Sequence, residues 1–505
     1  MFKLLSKCFG TKDRHRNRRL NRLLLLESME RRELFATDLL SAFVMGNATD
    51  EMRPEQVATD IAGNRYVTGS FGGTIDFEPG STRIDSSDVL TSNGYRDGFI
   101  AKYAANDSLL WLKQFGAQAD TAVADDSGSG VALDPVGNVI VSGRFGAGAA
   151  NFAGGTISSA GGVDGLVAKL NSSTGATQWV KTWGGANDDR GGRLAVDGAG
   201  SALVTAGTYN AGSLYPAIGM ALQKFSPSGS KVWQKDFATT PSSSIGQSII
   251  QDIATDGSGS VVIVGTVTNA TTDFDPSTKK NLVSIPRGSV AYAAKYDGNG
   301  ALKWVSPFYA SSTSTTSGSS HGASVAIDGS GNVLVGGSYQ GPVDFNPGLG
   351  TTWLQGGGGF ITKLAANSGS LSWAKPLVQT LSQGVSYNTR VNSLATDAMG
   401  NVYAAGIFMN SVDFDPGAGV VSKVSNGNRD IFLMNLTSSG QFGWADTIGG
   451  TGEDWVSDIA VDSFGNISMV GSFYGSMDFD PGTGTYERSA TGSGRAGYVA
   501  RYRRS

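Results

Sequence analysis

The chain has 505 residues, of which 72 are Gly, 16% are charged and 9% are aromatic, with a formal net charge of -4. A Gly-rich, weakly charged composition with ample aromatic surface excludes a disordered chain and favours an all-β fold over helices. Residues 1–36 hold ten Lys/Arg against four acids, a charge of +6; this leaves -10 on the remainder and excludes a nucleic-acid-binding body.

The chain opens on this basic head. Its Cys8 is the sole cysteine, so the body has neither a disulfide framework nor a Cys-based zinc site. No run reaches the roughly 18 apolar residues of a membrane helix. Leu23–Leu26 is shorter than the apolar stretch of about 7–15 residues in an ordinary secretory signal. Leu26-Glu27, then Glu30-Arg31-Arg32-Glu33-Leu34-Phe35-Ala36 after a run of arginines, resembles the LEPR-XLL type N-terminal segment of bacterial exported proteins. That resemblance implies export; an amphipathic basic helix is the other reading. The expected division is a targeting segment over 1–36 and a folded body over 37–505.

Downstream, one pattern recurs. Asp-x-x-Gly stands at Asp60–Gly63, Asp134–Gly137, Asp197–Gly200, Asp256–Gly259, Asp328–Gly331, Asp397–Gly400 and Asp462–Gly465. Apolar alternation flanks each copy, which predicts two strands, A and B, joined by a tight turn. Asp caps the turn by accepting its own backbone N–H two residues on, and Gly supplies the positive φ. Strand C follows, as in Phe99-Ile100-Ala101-Lys102-Tyr103, and strand D carries Trp111, Trp179, Trp233, Trp304, Trp373 or Trp444. Four antiparallel strands repeated seven times predict a seven-bladed β-propeller, since one open sheet of that size is unphysical.

The seventh unit stops at Tyr502, short of strand D. Ser41-Ala42-Phe43-Val44-Met45-Gly46 lies at the right distance before Asp60 to supply it, so residues 41–46 are expected to close the ring inside the last blade. The Gly-Asn pairs Gly63-Asn64, Gly137-Asn138, Gly331-Asn332, Gly400-Asn401 and Gly465-Asn466, with Gly184-Gly185 and Gly449-Gly450 after strand D, resemble the SBBP-type β-propeller repeat of bacterial exported and surface proteins. The resemblance covers roughly residues 41–505 and implies a scaffold rather than an activity.

Candidate chemistry falls on the B–C and D–A loops, which share one face. Five B–C loops repeat a motif: Asp76-Phe77-Glu78-Pro79-Gly80, Asp273-Phe274-Asp275-Pro276, Asp344-Phe345-Asn346-Pro347-Gly348, Asp413-Phe414-Asp415-Pro416-Gly417 and Asp478-Phe479-Asp480-Pro481-Gly482. Units two and three lack it, Asn151-Phe152 being its nearest relic. Oxygen-bearing side chains at i and i+2 lie on one side of an extended segment and suit Ca²⁺, a hard cation. The other reading makes the acids loop caps, Phe a plug and Pro-Gly a turn. Asp188, Asp189, Glu453, Asp454, Asp50 and Glu51 on the D–A side add acids to that face.

Catalytic signals are sparse. His321, the single body histidine, sits in a Ser/Thr-rich stretch, Ala310–Gly322, and reads as a solvated loop residue. Thr174–Trp179 and Ser368–Trp373 look like the tryptophan-docking repeats of quinoprotein dehydrogenases, and Asp297–Gly300 like a sialidase Asp-box, but neither set of partner residues accompanies them; both read as ordinary C–D turns. The expectation is an exported or cell-surface, non-enzymatic scaffold for a glycan, protein or mineral ligand, with Ca²⁺ as the cofactor of the repeated loops. The alternative is a polysaccharide hydrolase or lyase working through acids on the loop face.

Overall fold

In the computed structural model the described residues are 37–46, 51–78, 88–117, 126–146, 148–152, 155–209, 217–310, 318–346, 348, 350–380, 389–490 and 494–504. The expected export segment, Asp50 and most of the Ala310–Gly322 stretch lie outside them. Among the described residues the chain is all-β: seven antiparallel blades in a ring. The first blade shows the plan, with strand A Glu51–Thr59, B Arg65–Gly72, C Asp97–Tyr103 and D Leu109–Ala117. The remaining A strands are Ser127–Leu133, Asp188–Val196, Gln247–Thr255, Ser319–Ile327, Arg390–Thr396 and Asp454–Val461. Each A strand touches the A strands of both neighbouring blades, so these seven are the innermost layer.

Closure is as the spacing predicts. Strand Thr37–Met45 pairs antiparallel with Ala496–Arg504, the C strand of blade seven, from Thr37 opposite Arg504 to Met45 opposite Gly497. Ser41 stands opposite Arg501, where blade one puts Trp111 opposite Lys102.

The A–B turn works in the same way in all seven blades. The Oδ1 of Asp60 accepts the N–H groups of Ala62 and Asn64, and Asp462 accepts those of Phe464 and Asn466. The glycine at the fourth position has φ between 77 and 86° throughout, for instance 86° at Gly137 and 77° at Gly400. In the five Gly-Asn blades the Asn side chain donates to the second carboxylate oxygen, as Asn138 does to Asp134 at 3.0 Å. The sequence motif is therefore a self-sufficient turn that needs no partner blade.

The tryptophans join blades. The indole N–H groups of Trp111, Trp179, Trp233, Trp304 and Trp373 donate to Ser172, Pro227, Gly298, Ala366 and Ser438 carbonyls in the C–D turn of the next blade. The rings lie against that turn's glycine: a Cβ on Gly369 would come within 2.6 Å of Trp304. The C–D turns read as ordinary are thus docking platforms. Trp444 has a buried indole N–H with no acceptor, because the blade after it, closed by the N-terminal strand, has no C–D turn. Conversely, Asp107 with φ 72° occupies the glycine position of blade one's turn. Ser41, not Trp, precedes it, so a side chain fits there, and it pairs with Arg65.

Candidate functional site: the loop-face mouth of the central channel

The repeated B–C loops form small hairpins that clip one blade to the last. The N–H groups of Asp273, Asp344 and Asp478 donate to the carbonyls of Ala238, Tyr309 and Gly449 at the end of the preceding blade, at 2.8–3.1 Å. Asp413 pairs with Val378 in the same sense. Phe77, Phe274, Phe345, Phe414 and Phe479 are fully buried in the blade cores. In blades one, four and seven the hydroxyl of the strand-C tyrosine (Tyr103, Tyr296 or Tyr502) donates to the carbonyl of that Phe. Phe152 fills the same place in blade two, its ring centre 5.3 Å from that of Phe115, so Asn151-Phe152 is a working relic.

One oxygen of each candidate metal ligand accepts a backbone N–H. Oδ1 of Asp273, Asp344, Asp413 and Asp478 accepts two N–H groups each, from the second and eighth residues on. Asp275, Asn346, Asp415 and Asp480 accept one each, from Ser277, Gly348, Gly417 and Gly482. Asp76 accepts from Glu78, whose own carboxylate accepts the N–H of Leu109. These ten residues lie in five separate hairpins, and among the described residues no three His, Cys, Asp or Glu side chains converge as a metal cage.

Convergence occurs instead on the A strands. Every blade breaks register once in strand A, as between Pro54 and Gln56 or Val456 and Asp458. Just past that bulge, four residues before the Asp of each Asp-x-x-Gly, stand Gln56, Gly130, Arg193, Asp252, Ser324, Ser393 and Asp458. They form a belt around the axis. Gln56 accepts Val131 N–H, Asp252 accepts Val325, Ser324 accepts Leu394, Ser393 accepts Ile459, and Asp458 accepts Val57, each from the following blade at 2.8–3.1 Å. Arg193 bridges the gap in this belt by donating to the carbonyls of Glu55 and Ser129. Burial pushes the Asp458 carboxyl up to about 6 and raises Asp252, while the Arg193 charge opposes both shifts.

One turn further toward the loop face, seven residues before each Asp, stand Arg53, Ser127, Arg190, Ile249, His321, Arg390 and Trp455. His321 belongs to strand Ser319–Ile327 rather than to a solvated loop, because its register opposite Ser338 carries strand A past Gly322. Burial and then the Arg390 charge pull its pKa down. Burial also lowers Arg390 itself, and burial together with the Arg53 charge lowers Arg495. The Arg495 guanidinium lies 4.5 Å over Trp455 and its Nε donates to Ser472. Arg190 lies 4.8 Å over Tyr209. Acids stand beside these cations: Arg53 pairs with Glu51 at 3.0 Å and Arg190 with Asp188 at 3.4 Å. A cleft of about 260 Å³ opens beside it, lined by Arg144, Arg190, Arg193 and Tyr209, where Gly191, Gly192 and Gly207 leave room. Sequence reasoning missed this site. Its signal is the residue seven before each Asp-x-x-Gly, read as a column.

No family model and no curated protein matches the chain. Among solved structures it is similar to quinohemoprotein alcohol dehydrogenase from Comamonas testosteroni, with 11% identity and a TM-score of 0.41, over 91% of this chain and 76% of that one. It is also similar to the WD40 β-propeller domain of Doa1, with 8% identity and a TM-score of 0.38, over 92% and 97%. A luciferin-regenerating enzyme shows 10% identity and a TM-score of 0.34, over 74% and 87%. The class is that of a seven-bladed β-propeller. No helix among the described residues is long and apolar enough to cross a membrane.

Proposed function

We propose that this propeller is an exported or cell-surface, non-enzymatic binding scaffold whose loop-face mouth takes an anionic glycan carrying carboxylate or sulfate groups. The observation that carries this reading is that Arg53, Arg190 and Arg390 hold the same position on the innermost strands, with Arg495 close enough to Arg53 to feel its charge, in a body whose net charge outside residues 1–36 is -10; Arg53 and Arg190 are partly balanced by Glu51 and Asp188. Guanidinium forks match carboxylate and sulfate oxygens bidentately, and Trp455, Tyr209 and Tyr474 supply flat apolar surface beside them. The SBBP-type and LEPR-XLL-type resemblances supply the expectation of export. Hydrolysis would need two accessible carboxyls flanking the mouth. Two carboxyls near it that burial raises, Asp430 and Asp454, are only 3% and 0% exposed and accept backbone N–H groups.

The test is an array of polyuronates, sulfated polysaccharides and neutral glycans, read for binding and for released sugar. Binding to the anionic members, weakened by salt and lost in Arg53→Ala/Arg390→Ala, is expected. Equal binding to neutral glycans, or binding unaffected by the arginine changes, refutes the site. Released oligosaccharide refutes the non-enzymatic reading.

A further inference from the structure

Blades six and seven meet at two aspartates that open neighbouring strands. Asp430 begins strand C of blade six, Asp430–Leu436, and Asp454 begins strand A of blade seven. The N–H of Asp454 donates to the carbonyl of Arg429 at 2.9 Å, which ties the two starts together. Each carboxylate caps its own preceding loop with one oxygen. Asp430 Oδ2 accepts Asn426 N–H at 2.7 Å, and Asp454 Oδ2 accepts Gly450 N–H at 2.8 Å. The other oxygen of each, Oδ1, is buried and has no donor. Arg429 forms no ion pair with either; its guanidinium lies 5.8 Å from the Trp455 ring. Gly449 leaves the space these carboxylates use, since a Cβ there would stand 2.6 Å from the Asp430 carboxyl carbon.

The ring contains its own control. Between blades one and two the equivalent residues are Asp97 and Asp126, and all their oxygens are occupied. Asp97 accepts the N–H and side-chain amide of Asn93 and the side-chain amide of Gln114. Asp126 accepts Ala117 and Gly146 N–H groups. Gln114 lies opposite Phe99, whereas the residue opposite Phe432 in blade six is Thr447, too short to deliver the same amide. Two buried carboxylate oxygens without donors are costly beside each other, and each charge raises the cost of the other. Asp430 does act on Asp454 in that way.

The geometry points to a Ca²⁺ site between blades six and seven, held by Asp430 Oδ1 and Asp454 Oδ1, with main-chain oxygens and water completing the shell that a hard divalent cation takes. The ion would replace the missing amide donor and bridge the two blades next to the closing strand. This site is separate from the Asp-Phe-Asp-Pro-Gly hairpins, whose acids already serve as turn caps.

The experiment uses the full chain at pH 7.5, stripped with chelator. Adding Ca²⁺ should raise the melting temperature by roughly 2–5 °C at a hundredfold excess over its dissociation constant. Tb³⁺ should bind at the same site and show luminescence sensitised by Trp455. Asp430→Asn/Asp454→Asn should lose both responses, and Asp413→Asn/Asp480→Asn should keep both. The proposal is overturned if wild-type protein shows neither response, or if the hairpin variant loses them while the Asp430/Asp454 variant retains them. Should the Asp430/Asp454 variant fail to fold, Tb³⁺ binding and its displacement by Ca²⁺ on wild-type protein decide the matter; no displaceable Tb³⁺ luminescence refutes the site.

Discussion

A chain beginning at residue 47 should lose the closed ring, whereas one beginning at residue 37 should keep it. The strand removed, Thr37–Met45, pairs along its whole length with Ala496–Arg504. Met45 is fully buried, Ala42 nearly so, and the Phe43 ring lies tilted 4.8 Å from that of Tyr103 in blade one. The hydroxyl of Tyr486 donates to the carbonyl of Ala42, and Thr37 donates to Asp446 in blade six, so the strand holds three blades. Burying a Met or Phe side chain fully is worth about 1.5–3 kcal/mol; with Val44 and Leu39 partly covered, the strand contributes roughly 5–8 kcal/mol of apolar burial. Set against a net stability of about 5–15 kcal/mol, its loss leaves little margin. It also bares the edge of Ala496–Arg504, a template for pairing with a second chain. Urea melts and light scattering of the two chains measure both effects. A synthetic peptide of residues 37–46 added to the shorter chain should partly restore its melt. Equal stability and equal solubility of the two chains would refute the closure.

Three further outcomes are expected. Gly369→Ala forces a Cβ against the Trp304 ring at a φ of 66°, whereas Gly465→Ala meets nothing within 4 Å at a φ of 81°; in chemical denaturation the first should cost about 1–2 kcal/mol more than the second, and equal costs would refute tryptophan docking as a tight contact. Phe414→Ala should cost about 3–5 kcal/mol, because the ring is fully buried against Phe408 and Phe432; a loss below about 1 kcal/mol would show that the hairpin is ornamental. Asp458 is held at about 6 in the folded ring against about 3.9 unfolded, so its protonated form favours folding; that contribution is complete below about pH 3.9 and is lost as pH rises through about 6. Asp458→Asn should flatten this part of the stability–pH curve measured by urea melts from pH 4 to 8, and an unchanged slope would refute the assignment.

What could be read from the sequence was what each unit does by itself. Asp60, Gly63 and Asn64 complete their turn within five residues, so the repeat announces both the turn and the blade. The closing strand was legible because the D-to-A spacing is a length, not a contact. The belt at Gln56, Asp252, Ser324, Ser393 and Asp458 was not, since each side chain serves the blade after its own and the residue type changes from blade to blade. The arginines of the mouth share a position but not a residue type with the other blades: Arg53, Arg190 and Arg390 stand seven before their Asp-x-x-Gly, where other units have Ser127, Ile249, His321 or Trp455. The Asp-Phe motif left two readings open because a carboxylate that caps a turn and one that holds a cation look alike until the N–H groups around it are placed. The third unit, with its Gly-rich run Gly191-Gly192, departs from the repeat just where the cleft forms.

Pairing Thr37 with Arg504 also constrains the order in which the molecule can be made. Synthesis delivers the closing strand before the other strands of the ring and its partner after them, so nearly the whole ring must leave the ribosome before the two can meet. Until then the early strand, with Phe43, Val44 and Met45 exposed, is an apolar segment without a sheet, and blades one to six stand as an open arc. Long-range pairing of this kind is slow, and the waiting species exposes surface that invites association. The local Asp-x-x-Gly turns reduce that hazard by letting each A–B hairpin form on its own as it emerges, leaving one final event, the docking of nine residues, to convert the arc into a ring.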